Sequence, residues 1–310
     1  MNAVATEWIT DNAAWKKAKP RLSVLIPSYR DDPVMLLAHL NREKVAAEVI
    51  VLDDGSGDAY LALRIAEAIE AMQLPARFVR LTANEGRAKG RNRLAGHARA
   101  DRLLFLDADM APDGRDFLGD WLALIANENP AVAFGGFSLN QTPPTRANAL
   151  HRTMAAKSDC LPAAERRKTP EKYVFTSNLL VRRDVFDTVG FDEGFTGWGW
   201  EDVEWAMRVT RDHPIVHVDI TATHLGLDPA PVMARKYEQS AANFARVVAT
   251  HREIVSAYPS YKVARMLSRV PLRGLWRPAL KAAALAEALP LKLRDLAMRL
   301  YRAALYAEAV

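Results

Sequence analysis

Two short acidic stretches hold the residues best suited to chemistry. The first is Asp107-Ala108-Asp109, directly after the apolar run Leu103-Leu104-Phe105-Leu106. Two carboxylates one residue apart at a strand end can hold a hard divalent cation and leave positions open for phosphate oxygens. Acids at the end of a buried strand are costly without a partner; the plain alternative is solvated acids capping the next helix. The second stretch is Phe195-Thr196-Gly197-Trp198-Gly199-Trp200-Glu201-Asp202-Val203-Glu204. Gly197 and Gly199 let the loop bend and move. Trp198 and Trp200 offer apolar faces with a polar N–H edge, suited to stacking on a sugar ring. Glu201 and Asp202 open a helix whose positive end favours their ionised forms. Such a loop can close over a hydroxylated substrate, and the carboxylates behind it can take a proton from that substrate. Otherwise the stretch is a tight turn with core tryptophans and helix-capping acids.

Three further groups are weaker alone. Asp53-Asp54-Gly55-Ser56 can accept hydrogen bonds from a base or ribose, or simply turn a strand into a helix. Asn84-Glu85-Gly86-Arg87 with Arg91 can bring positive charge to a phosphate, or form a solvated helix face. His224 is a possible metal ligand, or a packed or surface histidine.

Strand–loop–helix steps position these groups. Leu22–Ile26, Glu48–Leu52, Arg77–Leu81 and Leu103–Leu106 read as strands, with helices from Asp31 to Lys44, from Ala59 to Met72 and after Gly86. This repetition predicts an α/β fold with a mostly parallel sheet and helices on both faces. Ligands collect at the carboxyl ends of such strands, where Tyr29, Asp53, Asp54, Asn84, Asp107 and Asp109 fall. Further on, a helix closes at Trp121–Glu128 and Val132–Phe137 reads as a strand. Asn140–Pro170 is polar and expected to be irregular. Tyr173–Val181 is strand-like, Arg182–Val189 follows it, and a helix runs from Glu201 to about Arg211. Ile215–Val218 is a strand, His224 lies in a loop, and Val232–Ala257 is a long helix.

Half of the 310 residues are hydrophobic, which suits one large α/β domain with an appendage or two small domains. The single cysteine, Cys160, excludes an internal disulfide framework and a multi-cysteine zinc site, and suggests a reducing compartment. No uninterrupted apolar run reaches the roughly 20 residues of a membrane span, so a soluble or peripheral protein is expected. The net charge of +5 is uneven: Lys262 to Arg302 holds ten Lys or Arg against Glu287 and Asp295, or +8, leaving −3 for the rest. The basic character therefore belongs to the tail, and no nucleic-acid partner is expected at the catalytic part.

The order P-S-Y, D-D-G-S, N-E-G with R-x-x-x-R-N, then D-A-D resembles the nucleotide-diphosphosugar glycosyltransferases of the GT-A fold, specifically family 2. The later G-W-G-W-E-D-V-E resembles the acceptor-side motif of galactosyl- and N-acetylgalactosaminyltransferases and of bacterial chondroitin-type polymerases. The resemblance implies a Rossmann-like GT-A domain over residues 21–228; residues 1–20 are then an N-terminal extension, and the charge and spacing of residues 229–310 read as a helical, basic, amphipathic C-terminal region. It implies that Tyr29 and Asp54 contact uracil, with Pro27 shaping the turn. Asp107 and Asp109 would hold Mn²⁺ or Mg²⁺ on the diphosphate, with His224 as a late ligand and Arg87 and Arg91 at the nucleotide. Asp202 would be the catalytic base and Glu201 its acceptor-binding neighbour; Trp198 and Trp200 would line the acceptor site. Arg30 stands where the family often has Asn, and Trp200 where G-W-G-x-E-D members often have a small residue. The residues after His224 match no shared motif.

The function so implied is inverting transfer of a hexosyl or N-acetylhexosaminyl group from a UDP-sugar to a glycan or lipid-linked acceptor, in bacterial surface or exopolysaccharide synthesis. A sugar nucleotidyltransferase would want a glycine-rich phosphate loop where this chain has Pro27-Ser28-Tyr29-Arg30. A non-catalytic carbohydrate-binding scaffold would not need both the D-x-D and the acid pair. In the tail, Arg265, Arg269, Arg273, Arg277 and Lys281 recur every four residues, and Leu293, Leu296, Leu300 and Ala304 form an apolar stripe. Basic amphipathic helices of this kind lie on anionic membrane surfaces. A cytoplasmic location at the inner face of the membrane is the matching expectation, and packing on the domain is the alternative.

Overall fold

The computed structural model describes residues 6–310. A short strand β1 (Glu7–Asp11) precedes four strand–helix steps. These are β2 (Leu22–Ser28) and α1 (Val34–Leu40), β3 (Ala47–Asp53) and α2 (Ala59–Glu70), β4 (Ala76–Leu81) and α3 (Arg87–His97), and β5 (Arg102–Phe105) with β6 (Met110–Pro112) and α4 (Phe117–Glu128). Next come β7 (Val132–Phe134), β8 (Phe137–Ser138), α5 (Ala149–Ser158), α6 (Ala163–Arg166), β9 (Leu179–Arg182), α7 (Arg183–Thr188), α8 (Glu201–Val209), β10 (Ile215–His217) and β11 (Ala222–His224). Helices α9 (Ala230–Thr250), α10 (Arg252–Val255), α11 (Pro259–Leu267), α12 (Arg273–Leu285) and α13 (Leu291–Tyr306) complete the chain.

The main sheet has eight strands in the order β1-β4-β3-β2-β5-β9-β7-β10. β4, β3, β2 and β5 are mutually parallel, while β9 runs antiparallel between β5 and β7. Leu22, Val24, Leu25 and Ile26 of β2 and Val49 to Leu52 of β3 have no exposed surface. Apolar runs without alternation are what a parallel strand covered by helices on both faces requires. The polar residues that end each run therefore emerge together at one sheet edge.

Two turns at that edge are constrained. Gly55 has φ +68°, and a Cβ there would stand 2.3 Å from the Ala83 carbonyl carbon. Glycine lets the turn after β3 lie directly against the loop after β4. Arg30 has φ 62°. Asparagine accepts this left-handed backbone more readily than arginine, which gives the departure at this position a physical meaning. The Arg30 amide donates to Ser56 Oγ at 2.7 Å and holds the conformation in place.

Several elements differ from expectation. Within the segment 1–20, whose first five residues lie outside the described residues, β1 joins the sheet as an edge strand antiparallel to β4. The polar stretch from Asn140 to Pro170 holds α5 and α6, because Leu150 and Met154, four apart, bury against α9 and α13. Of the strand-like run from Tyr173, only Leu179 onward pairs in the sheet; Thr176–Asn178 is a 3₁₀ turn. His224 is the last residue of β11, not a loop residue. The long helix breaks at His251, whose Nε2 is 3.1 Å from the buried Glu204 carboxylate.

The tail packs on the body. Met298 and Tyr301 of α13 share a core with Met154, Met233 and Tyr237. The four-residue cation stripe is interrupted between α11 and α12, where Leu272 has φ 61°. Arg277 and Lys281 are paired with Glu308 and Glu238 at 2.5 and 2.7 Å. In the expected apolar stripe Ala304 is fully buried, whereas Leu293 and Leu296 stay exposed. Pro278 lies inside α12.

Candidate active site

The residues assigned a donor, metal or acceptor role from the sequence line one cavity of about 650 Å³, whereas Asp53 and Asn84 do not reach it. Pro27, Tyr29, Asp54, Arg87, Arg91, Asp107 and Asp109 reach it from the carboxyl edge of the sheet, Trp198 to Asp202 from the start of α8, and His224 from β11. Further wall comes from α5, α9 and α13, from the segment 172–177 and from Tyr258 and Ser260 at the start of α11.

Asp54 is tied into the neighbouring loop. It accepts from the Asn84 side chain at 2.9 Å and from the Glu85 and Gly86 amides at 2.8 and 3.0 Å. Burial still pushes its carboxyl above the ordinary range. Tyr29 stands exposed at the rim.

An ion-pair network joins α3, α8 and the end of β5. Arg87 Nε donates to Glu201 Oε1 at 2.7 Å, and Arg91 Nη1 lies 3.6 Å from the same oxygen. Arg91 Nη2 donates to Asp107 Oδ1 at 3.0 Å, with Arg87 Nη2 3.9 Å from Asp107 Oδ2. Burial would lower Arg87, but Glu201, Asp107 and Asp202 outweigh it and hold the guanidinium firmly charged. Burial would raise Glu201, yet the two arginines keep it ionised. Glu201 is thus buried and engaged with arginines rather than presented to an acceptor.

Asp202 is the freer acid. Its oxygens receive only long bonds, 3.2 Å each, from the Thr176 amide and hydroxyl. Burial, and then the Glu201 carboxylate beside it, push the Asp202 carboxyl up to about 6. That suits a general base working near neutral pH.

Register brings the cation candidates together. β11 pairs antiparallel with β6 so that His224 faces Met110, next to Asp109. His224 Nε2 and Asp109 Oδ2 are 3.1 Å apart. Two ligands at right angles on one ion, each about 2.1 Å from it, stand about 3 Å apart, so this pair fits a divalent cation. Asp107 does not complete a triad: it is held by Arg91, and among the described residues no three His, Cys, Asp or Glu side chains gather at one point. Asp31, not singled out in the sequence, adds to the acidity; burial, then Asp109 and Asp107, raise its carboxyl. Gly226 makes the room, since a Cβ there would fall 1.9 Å from Asp109 Oδ2.

The tryptophan loop is strained and anchored. Gly197, Gly199 and Trp200 all have positive φ, at 71°, 90° and 77°. For a bulky residue such as Trp200 this backbone is unusual. Asn243 of α9 donates to the carbonyls of Thr196 and Gly199 at 2.9 and 2.8 Å. Trp200 Nε1 donates to Tyr306 Oη at 3.0 Å, and the ring packs on Phe244 and Tyr306 at 4.9 and 5.9 Å between centroids. Such aromatic pairs each add about 0.5–1.5 kcal/mol beyond area burial. Trp200 therefore fastens the loop to α13, while Trp198, half-buried against Tyr237, keeps contact with the cavity. Thr176, Asn243 and Tyr306 carried no motif, and only the fold brings them here.

Comparison with known proteins places this geometry. The model of the family described as "Glycosyl transferase family 2" matches residues 23–190. The chain is 26% identical over 239 residues to an uncharacterized glycosyltransferase, YfnE, of Bacillus subtilis (strain 168), covering 61% of this chain and 60% of that protein. It is 29% identical over 220 residues to validoxylamine A glucosyltransferase of Streptomyces hygroscopicus subsp. limoneus, covering 61% of this chain and 48% of that protein. In both cases it spans less than two thirds of the relative's length. Among solved structures, the mannosyltransferase PcManGT from Pyrobaculum calidifontis, in complex with GDP-Man and Mn²⁺, superimposes with a TM-score of 0.59 at 17% identity, covering 96% of this chain and 89% of that one. At that identity the likeness concerns the fold.

Proposed function

The chain belongs to glycosyl transferase family 2, and on that premise we propose that it moves a hexosyl or N-acetylhexosaminyl group from a UDP-sugar to an acceptor hydroxyl, inverting the anomeric centre. One observation carries this reading: the freely placed Asp202 shares a single cavity with the Asp109–His224 pair and with the nucleotide-side residues. Asp202 takes the proton of the acceptor hydroxyl as it attacks the anomeric carbon from the face opposite the nucleotide. Trp198 bears on the acceptor sugar. Arg87 and Arg91 stabilise charge on the departing diphosphate, and Glu201 positions both guanidinium groups. A divalent cation, Mn²⁺ or Mg²⁺, held by Asp109 and His224, would supply further neutralisation of that charge. Tyr29 and the Asp54 turn flank the base. The acceptor we envisage is a glycan or lipid-linked glycan of bacterial surface or exopolysaccharide synthesis. UDP release on incubation with a panel of UDP-sugars and Mn²⁺, with and without added glycan acceptors, tests the reading; no release with any pair would overturn it.

We place this activity at the cytoplasmic face of a membrane. Among the described residues no helix is long and apolar enough to cross one. The turn between α11 and α12, however, exposes Leu272 and Leu275, each 71%, together with Met266 and Val270, beside the exposed Arg265 and Arg269. Apolar side chains can enter the headgroup boundary, and each nearby cation adds about 1 kcal/mol on an anionic surface. The full chain is expected to sediment with phosphatidylglycerol liposomes at low salt. A Leu272→Asp/Leu275→Asp variant should lose most of that binding while still binding UDP; equal sedimentation of the two would overturn the assignment.

A further inference from the structure

The cavity extends beyond the tryptophan loop to a wall formed by α13. Arg299, Arg302 and Tyr306 follow one another at spacings of three and four, share a helix face, and all line the cavity. This lobe adjoins the acceptor side: Tyr306 holds Trp200, and Tyr237, over whose ring Arg302 lies at 5.1 Å, contacts Trp198 edge-on.

The lobe carries excess positive charge. Arg299 Nε donates to Asp295 at 2.6 Å, but Asp295 also takes Lys157 at 2.6 Å, and Arg299 Nη2 is buried without a hydrogen-bond partner. Arg302 has no carboxylate at ion-pair distance among the described residues: its side chain engages the Tyr237 hydroxyl, and Asp159, which also lines the cavity and accepts from Ser158 Oγ at 2.8 Å, acts on it only from further off. A buried donor without a partner, as at Arg299 Nη2, is costly, and the planar guanidinium fork suits anionic oxygens.

Building on the sugar-transfer reading above, we propose that Arg299 and Arg302 form a subsite for an anionic group carried by the acceptor, a sugar carboxylate or phosphate ester held beside Trp198. The tail is then part of the active site. It selects an acidic acceptor and, through Tyr306 and Trp200, sets the loop that presents Asp202.

The test uses the full chain with UDP and Mn²⁺ present. Protection against thermal unfolding is titrated with methyl β-D-glucuronide, methyl β-D-glucoside and glucose 6-phosphate at matched ionic strength. One of the two anionic probes is expected to act at about tenfold lower concentration than the neutral glucoside, the size of a charge-assisted contact; which one does so identifies carboxylate or phosphate. Arg302→Gln should erase the difference and leave protection by UDP unchanged, while Arg302→Lys retains part of it. Equal protection by all three probes in the wild type overturns the proposal, even if Arg302→Gln fails to fold. Loss of UDP protection in Arg302→Gln or Arg302→Lys also overturns it, by assigning the arginine to the donor. A wild-type chain that ignores UDP altogether would count against the sugar-nucleotide reading instead.

Discussion

Asp202→Asn is expected to slow sugar transfer by about 10²-fold or more, the effect of losing a positioned base, while UDP binding stays intact. The exchange keeps the shape: the amide oxygen can still accept from the Thr176 N–H, and the amide NH2 can donate to the Thr176 hydroxyl in place of accepting from it. What it removes is the proton acceptor. Because the carboxyl sits near 6, raised by burial and by Glu201, wild-type kcat/KM should fall as pH drops through about 6; the residual activity of the variant should lack that limb. Stability should move the other way. A carboxyl whose folded pKa lies above its unfolded value of about 3.9 favours the fold fully only below that value. The advantage is lost as pH rises through the folded value, so at pH 7.5 the variant should melt no lower than wild type. Glu201→Gln is the control, since it breaks the Arg87 pair instead. Near wild-type turnover in Asp202→Asn, alongside a collapse in Glu201→Gln, would mean that the other acid is the base.

The parts of this site that were legible in the sequence are those set by local rules. Continuous apolar runs marked β2, β3 and β5, and the polar residues ending them mark one sheet edge. The fold then brings Asp54, Asp107 and Asp202 to one cavity. Contacts between distant segments were not legible. His224 reaches Asp109 only through the β11–β6 register. The partner of Trp200, Tyr306, lies 106 positions later and receives its indole N–H. In α13 the helical period offers two stripes, and spacing alone cannot say which meets the body. Met298 and Tyr301 turn inward, so Leu293 and Leu296, expected to mark an apolar face with Ala304, are separated from it. The Asn140–Pro170 stretch hid α5 because its apolar positions are few, yet Leu150 and Met154 suffice once α9 and α13 supply a surface.

Removing divalent metal is expected to abolish transfer, and Mn²⁺ should restore it. The donor set argues for this cation: an imidazole nitrogen beside a carboxylate suits Mn²⁺ better than Ca²⁺. Burial would raise Asp109 and lower His224, but each favours the charged form of the other, which holds the Asp109 carboxyl below and the His224 imidazole above its ordinary range. A bound cation would take the place of the shared proton, and metal affinity should therefore weaken as pH falls. Substitutions separate this site from its surroundings. Asp109→Asn and His224→Ala should each weaken Mn²⁺ binding in the presence of UDP, read by calorimetry, and lower transfer by about 10²-fold. Gly226→Ala should do the same without touching a ligand, because its Cβ would fall 1.9 Å from Asp109 Oδ2 and force the carboxylate aside. Asp107→Asn should be milder for metal binding, since Arg91 already holds that carboxylate at 3.0 Å. Full activity in excess EDTA would remove the metal from the mechanism. Wild-type Mn²⁺ affinity in Gly226→Ala would show that the cation does not bind at Asp109 Oδ2. Only the first outcome would leave the arginines of α3 to neutralise the diphosphate alone.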